Sequence, residues 1–203
     1  MGHPQRVAQI SPEEYLRVER TAEYKSEYYA GEIFAMAGAT ANHNLILANV
    51  IGELCRQLKG KRCRAYASDL RMLIPATGLF TYPDASVICG PLEYAAIDER
   101  LETVTNPTLI VEVLSDSTEA YDRGTKFAHF RSLPSFAEYV LVSQTEPLVE
   151  VFSRLPVGTW ELTPVRGLEA SAPLRSLQIS LALAEVFDGV DFAPTAPLKN
   201  SGK

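Results

Sequence analysis

The sequence has no apolar run long enough to cross a bilayer as a helix, because its longest runs have the length of a strand. It also lacks an excess of basic residues: 19 Lys and Arg stand against 25 Asp and Glu, giving a net charge of −6. Proteins that bind nucleic acid mainly through charge usually show the opposite balance. The one basic cluster, RQLKGKRCR (residues 56–64), is typical of a solvated helix end, and a phosphate-binding patch is the alternative.

Cysteine is scarce as well. Cys55, Cys63 and Cys89 form no C-x-x-C pair and are joined by only 3 histidines, so a structural zinc site is not expected. Because an odd number of cysteines suits no complete disulfide framework, we expect all three to be small buried apolar residues. Residues 1–10 show no charged-then-apolar leader pattern, and the expected location is therefore the cytoplasm.

What the sequence does contain is the balance of a folded domain, with 46% hydrophobic and 22% charged residues. A 3.6-residue apolar period predicts a helix over residues 41–59, and a second helix is predicted over 117–133. We expect a single α/β or α+β domain over residues 10–190, a mixed sheet with helices against it, between flexible tails at 1–9 and 191–203. Strands are predicted in segments 26–38, 63–75, 80–89, 108–114, 136–142, 148–154 and 159–165.

Two strand acids, Asp84 and Glu112, are the main candidates for a functional site. Strict alternation within FTYPDASVI (residues 80–88) and TLIVEVL (residues 108–114) gives each a largely apolar face that holds one carboxylate, Asp84 or Glu112. Burying a carboxylate alone costs several kcal/mol, on the order of an uncompensated ion, so each needs a partner. Taken singly, either acid is explained by an ion pair with arginine or by a helix cap.

Taken together, the two acids suggest a metal site. If the strands are neighbours, the carboxylates of Asp84 and Glu112 converge and repel each other, and a divalent cation removes that conflict. Carboxylate oxygens suit Mg²⁺ or Mn²⁺, and such a cation assists the attack of water on a phosphoryl group. Both residues are therefore predicted metal ligands.

The wider sequence resembles a known family. YPDASVIC, followed by PTLIVEVLSDSTEAYDRGTKFAHFRSLPSFAEYVLV, is similar to the Uma-two family of "putative restriction endonucleases", in the PD-(D/E)XK nuclease-like superfamily, and the similarity extends over residues 10–187. This resemblance implies a restriction-endonuclease-like mixed central sheet flanked by helices in a single domain. It also implies Mg²⁺-dependent hydrolysis of phosphodiesters. On the same resemblance, Asp84 matches the acid of PD and Glu112 the acid of (D/E)XK.

The lysine of that motif is absent from its usual position. It should follow Glu112 by two residues, but position 114 is leucine. The resemblance points instead to Lys126, in the D-R-G-x-K run of the next helix, as the third catalytic residue. The alternative is an exposed helical pair of Asp122 and Lys126, which would contribute only a few tenths of a kcal/mol.

Three further residues are possible members of the site. Glu32 follows Gly31 and is either an outer metal ligand or a solvated turn residue. Asp69 either lines the site or pairs with Arg64 or Arg71. His43 is in phase with the apolar stripe of its helix, which favours a partly buried histidine with a hydrogen-bond partner over a ligand.

The expected function is a Mg²⁺- or Mn²⁺-dependent endonuclease that acts on DNA, without membrane association. A homodimer is plausible, because cutting both strands of a duplex calls for two sites. The alternative is a catalytically degenerate nuclease fold that serves as a binding or assembly module, favoured by the acidic net charge and by Leu114. A carboxylate-pair glycosidase is a third class, but the sequence shows no aromatic substrate groove to support it.

Overall fold

The computed structural model of the protein describes residues 9–36 and 38–192. Residues 1–8 and 193–203 lie outside the described residues, so the expectation of flexible tails stays a prediction. At the carboxyl end, the ring of Phe192 packs 5.4 Å from that of Phe187, and Asn42 donates a hydrogen bond to the carbonyl of Asp191. The packed part of the chain therefore extends past residue 190.

The helices begin where the sequence offers caps. The Ser11 side chain accepts a hydrogen bond from the Glu14 amide at the start of α1, and Thr40 accepts one from the His43 amide at the start of α2. The predicted second long helix is continuous but contains a π-helical turn, π1, between two short α segments. The helical segments are α1 (Pro12–Glu19), α2 (Ala41–Leu58), α3 (Glu119–Tyr121), π1 (Asp122–Lys126), α4 (Phe127–Phe130) and α5 (Leu183–Val186).

The strands form two larger sheets and a hairpin. The first sheet has the order β2-β1-β5-β4-β7, the second has the order β11-β10-β9-β8-β6-β3, and β12 pairs with β13. Both larger sheets are mixed, because β4–β7 and β8–β9 are parallel whereas the other pairs are antiparallel. The strands are β1 (Ser26–Tyr29), β2 (Glu32–Ala35), β3 (Cys63–Ala67), β4 (Arg71–Ile74), β5 (Leu79–Thr81), β6 (Ala85–Cys89), β7 (Thr103–Val104), β8 (Leu109–Val113), β9 (Glu138–Val142), β10 (Leu148–Arg154), β11 (Trp160–Arg166), β12 (Ser171–Leu174) and β13 (Ile179–Ala182).

The result is the mixed α/β single domain that the sequence predicts, but two segments expected to be continuous strands are broken. Segment 63–75 divides into β3 and β4, and segment 80–89 divides into β5 and β6, so each crosses from one sheet to the other. Pro83 lies in the second break, where its missing N–H prevents the ladder from continuing. The single face predicted for residues 80–88 is therefore wrong, and Asp84 lies at the junction between the sheets.

Strand β8 separates two parts of the core. Leu109, Val111 and Val113 face the larger hydrophobic cluster, which packs against α2. Ile110 and Leu114 face a second cluster, rich in aromatic rings from the helical segment and from β9. Glu112 falls on this second face, and the strand therefore fixes the direction of its carboxylate toward the helix that carries Lys126.

The structure corrects the interpretation of the cysteines. Cys63 and Cys89 lie directly opposite each other on β3 and β6 and form a disulfide, while Cys55 is exposed. The prediction of three buried apolar thiols was wrong because it considered the number of cysteines rather than the strand register that brings two of them together. Disulfides are uncommon in reducing compartments, and the expected cytoplasmic location stays a prediction.

Candidate active site

Asp84 and Glu112 lie side by side where β6 and β8 end their pairing. Oδ2 of Asp84 accepts a hydrogen bond of 2.8 Å from the Val113 amide, and Oε2 of Glu112 lies 3.3 Å from the amide nitrogen of Asp84. The two strands are antiparallel neighbours, with Ala85 opposite Val111. The convergence predicted from the sequence is therefore present, although it arises at a break between sheets rather than within one long strand.

Lys126 reaches the same point from the helical segment. Its Nζ lies 2.8 Å from Oε1 of Glu112 and 3.6 Å from Oδ1 of Asp122, and its side chain is 5% exposed. The pairing of Asp122 with Lys126 is thus buried, unlike the exposed helical pair considered as the alternative. Isolated π turns occur frequently at functional sites, and π1 spans both residues.

A third strand acid, Glu27, was missed by the sequence interpretation. Its Oε1 lies 3.6 Å from Nζ of Lys126 and accepts a hydrogen bond from the hydroxyl of Thr81, while its Oε2 accepts one of 2.9 Å from the hydroxyl of Tyr121. Glu27 is buried on β1, which belongs to the five-stranded sheet. An acid within a strand was the available signal, the same signal that identified Glu112.

The electrostatics of this cluster follow from one cation among several acids. Burial acts against the charge of Lys126, but the carboxylates of Glu112, Glu27 and Asp122 outweigh burial and raise its pKa. Burial raises the pKa of Glu112 well above its ordinary value, opposed by Lys126 and assisted by Asp122 and Asp84. The pKa of Asp122 is also raised, chiefly by burial. The site therefore holds an ammonium ion and a surplus of carboxylate groups.

His43 is the possible additional residue that the structure does bring into the site. Its Nε2 lies 3.1 Å from Oδ2 of Asp84, and because a carboxylate only accepts, the imidazole donates this hydrogen bond. Its Nδ1 is buried and has no hydrogen-bond partner among the described residues. The histidine, which is placed by the first turn of α2, fixes the orientation of the Asp84 carboxylate.

Glu32 and Asp69 are not brought into the site. Glu32 is exposed at the turn end of β2, opposite Tyr29, and does not line the cleft. The Asp69 side chain is 90% exposed and pairs with Lys25 at 2.8 Å. The alternative pairing with Arg64 or Arg71 is not formed either, since Arg71 binds Asp98 at 3.1 Å and Arg64 donates to the carbonyls of Lys61 and Cys63.

The site opens into a large cleft of about 1940 Å³, bordered by the β1–β2 hairpin, the start of α2 and the helical segment. Asp84, Glu112 and Lys126 lie among its lining residues. The side chains of Glu112 and Lys126 are only 4% and 5% exposed. A substrate in the cleft would therefore meet two reactive side chains that are almost completely buried.

Comparison with known proteins places this arrangement in a family. Residues 12–184 match the model of a family described as Uma2, "Putative restriction endonuclease". The chain belongs to the Uma2 family. The family resemblance expected from the sequence is thus confirmed, and the family is one of restriction-endonuclease-like proteins.

Two relatives of this Uma2 chain come from Synechocystis sp. (strain PCC 6803). "Uncharacterized protein slr1290" is 36% identical over 90% of this chain and 94% of its own length. "Uncharacterized protein sll1609" is 34% identical over 84% of this chain and 95% of its own length. A solved structure from Anabaena variabilis, titled as a "putative nuclease belonging to DUF820", has a TM-score of 0.71, with 21% identity over 88% of this chain and 97% of its own. At that identity the structural match supports the fold.

The donor set of the Uma2 site suits a hard divalent cation. Asp84 and Glu112 offer carboxylate oxygens. The amide of Val113 holds Asp84 in place, and the ammonium of Lys126 holds Glu112. Within residues 9–36 and 38–192, no group of three or more His, Cys, Asp or Glu residues is arranged to hold a metal. Two carboxylates are compatible with Mg²⁺, which usually keeps several waters.

The described part of the Uma2 chain contains no helix with both the length and the apolar character needed to cross a membrane.

Proposed function

We propose that this protein is a Mg²⁺- or Mn²⁺-dependent endonuclease that hydrolyses phosphodiester bonds of DNA. The observation that supports it best is the convergence of Asp84, Glu112 and Lys126 at the base of one cleft. Membership of the Uma2 family supports the same reaction class.

Asp84 and Glu112 would hold the cation. A bound Mg²⁺ supplies positive charge to the phosphoryl oxygens and lowers the pKa of the attacking water. The orientation of Asp84 is fixed by the Val113 amide at 2.8 Å and by His43 at 3.1 Å, so its carboxylate is already positioned before the cation binds. Such preorganisation limits the reorganisation needed during the reaction.

Lys126 would act on the phosphate itself. Its raised pKa keeps the ammonium protonated, and an ammonium near the phosphoryl group stabilises the negative charge that builds up as water attacks phosphorus. The bond between phosphorus and the leaving oxygen then breaks, and that oxygen takes up a proton. Leu114 lies where the superfamily places its lysine, so this role depends on the helical segment.

The decisive experiment measures cleavage of labelled plasmid and oligonucleotide with Mg²⁺, with Mn²⁺ and with EDTA. Wild type is expected to cut only with a divalent cation, and Asp84→Asn and Lys126→Met are each expected to reduce the rate by about 100-fold or more, as when a charge-stabilising group is lost. Unchanged cutting by Asp84→Asn would reject the site. A homodimer, proposed for cutting both strands, is tested by sedimentation of the same protein.

A non-catalytic nuclease fold is the second candidate. It is favoured by the surplus of carboxylates around Lys126, whose ammonium lies within 3.6 Å of Glu27 and Asp122 and 2.8 Å of Glu112. In that case wild type binds no Mn²⁺ in calorimetry and cuts no substrate. Metal binding together with cleavage would reject this candidate.

A further inference from the structure

The exposed aromatic rings of this protein are concentrated at the cleft. Among the large hydrophobic side chains that are exposed in the described residues, four are aromatic: Tyr24, Tyr29, Phe34 and Tyr94. Tyr24, Tyr29 and Phe34 line the cleft, whereas Tyr94 does not. Scattered exposed aromatic residues need no explanation, but three exposed rings that line one cleft do.

The rings are continuous with the reactive residues. In the β1–β2 hairpin Phe34 lies directly opposite Glu27, and Tyr29 is two residues beyond Glu27 on the same strand. All three side chains therefore point to the same face of the sheet. Because Glu27 lies 3.6 Å from Lys126, this face leads from the ammonium outward to the rings.

The charges of the cleft argue against binding through phosphates. Its described lining residues include nine Asp and Glu but only three Lys and Arg. Each of the three cations already has an acidic partner: Lys25 binds Asp69 at 2.8 Å, Arg123 binds Glu119 at 2.7 Å, and Lys126 binds Glu112 at 2.8 Å.

A continuous duplex is poorly suited to such a surface. It presents its phosphates on the outside and keeps its bases stacked within, so a protein with few available cations gains little from it. An unpaired strand exposes the faces of its bases, and these stack on aromatic side chains whatever their sequence. The cleft offers rings in place of free cations.

We propose that Tyr24, Tyr29 and Phe34 form an aromatic platform that binds the bases of an unpaired stretch of DNA and leads its backbone to Lys126. The proposal rests on the nuclease function proposed above and specifies its substrate as single-stranded or locally opened DNA. The position of Tyr29 is supported by His129, whose ring packs against it in a T-shaped contact at 4.8 Å. Phe34 lies on β2, and Tyr24 lies two residues before β1.

Fluorescence anisotropy in EDTA tests this without cleavage, using the full chain and a labelled oligonucleotide either alone or annealed to its complement. Wild type is expected to bind the single strand more tightly than the duplex. Phe34→Leu and Tyr24→Leu are each expected to weaken single-strand binding by about 5- to 150-fold, the range for loss of one stacked base. Phe34→Trp should retain the affinity, because it keeps a ring at that position.

Tyr94→Leu is the matched control, because Tyr94 is an exposed aromatic residue outside the cleft. The affinity of this variant for the single strand should equal that of wild type. The loss caused by Phe34→Leu should also be the same at low and moderate salt, since stacking releases no counterions. Tighter binding of the duplex, equal losses for Phe34→Leu and Tyr94→Leu, or no binding of either nucleic acid would overturn the proposal. So would sedimentation showing that Phe34→Leu separates a dimer while single-strand affinity is unchanged, because a second copy of the chain would then cover the platform.

Cleavage with Mg²⁺ is measured separately, so the two proposals can fail independently. Metal-dependent cutting that does not depend on Tyr24 or Phe34 would support the nuclease proposal and overturn the proposal of an aromatic platform. Ring-dependent binding of single strands without any cutting would retain the platform and reject the nuclease.

Discussion

Glu27 is the residue whose role the structure changes most. Its carboxylate lies 3.6 Å from Nζ of Lys126 and is itself fixed by the hydroxyl groups of Thr81 and Tyr121. We expect Glu27→Gln to lower the cleavage rate by about 10- to 100-fold, the range for residues that orient a catalytic group, because the ammonium loses one of its anchors. The affinity for DNA should change little, and the measurement is a full rate-against-substrate curve.

Glu32→Gln provides the matched control for this variant. It makes the same chemical change five residues further on, at an exposed position outside the cleft. Its rate should equal that of wild type. Equal losses in the two variants would mean that Glu27 has no positioning role.

The contrast between Glu27 and Glu112 shows how far residue patterns predict the site. Glu112 is identifiable because a single acid in an apolar strand is costly unless it has a partner. Glu27 carries the same signal, but its use depends on β1 pairing with β5 through Tyr28 and Phe80. This contact joins residues far apart in sequence, and no local pattern reports it.

At the scale of elements, the hairpin and long helix follow from local signals, whereas the breaks between the two sheets do not. Alternation continues across Pro83, and only the partners of β5 and β6 show that the chain changes sheets there. The Cys63–Cys89 pair was missed for the same reason, because strand register is a long-range property.

The disulfide should contribute measurably to stability, because it ties the edge strand β3 to β6 and closes a loop with a sequence separation of 26. We expect Cys63→Ser combined with Cys89→Ser to lower the free energy of unfolding by about 3.5 kcal/mol, as the chain-entropy model gives for a loop of this length. Urea denaturation under oxidising conditions measures the difference.

With a reducing agent, wild type should unfold at the same urea concentration as the double variant. Cys55→Ser, at the free exposed thiol, should not alter stability in either condition. If oxidised and reduced wild type are equally stable, the cross-link contributes nothing.

Replacing glycine by alanine at two positions should change the free energy of unfolding in opposite directions. Gly52 is exposed in the middle of α2, and an added Cβ would have no heavy atom within 4 Å, so Gly52→Ala should raise the free energy of unfolding by about 0.5–1 kcal/mol. Gly31 has φ +90°, and a Cβ added there would lie 2.8 Å from the Cβ of Gln9. Gly31→Ala should therefore lower the free energy of unfolding by more than about 1 kcal/mol. Thermal unfolding compares both with wild type, and shifts of the same sign would contradict the interpretation.

At the scale of the molecule, Asp98 fastens separate parts of the chain together. Its carboxylate binds Arg20, just after α1, at 2.6 Å, Arg71 on β4 at 3.1 Å and the hydroxyl of Thr103 on β7 at 2.5 Å. Burial acts to raise its pKa, but the bonds from Thr103, Arg20 and Arg71 outweigh burial and lower the pKa to about 2.

Part of the acid stability of the molecule should therefore come from this one carboxylate. Because the pKa of Asp98 is lower in the folded state than its ordinary value of 3.8, its contribution is complete above about pH 4 and is lost as the pH falls toward about 2. The expected loss is about 2 kcal/mol, measured by urea denaturation across this range. Asp98→Asn should be less stable than wild type at neutral pH, and the difference should shrink on acidification; a constant difference would contradict the assignment.

The π turn Asp122–Lys126 holds more residues than an α turn, as if a single amino acid had been inserted into a regular helix. Such a turn takes up the extra residue locally, because five residues at the wider π spacing sweep about the same angle as four residues at 100° each. Removing one residue of the turn, such as Thr125, would therefore restore the α-helix and leave Phe127 stacked on Tyr139, where the rings now lie 4.9 Å apart. The length of this helical segment can thus change by one residue without turning the helix that follows it.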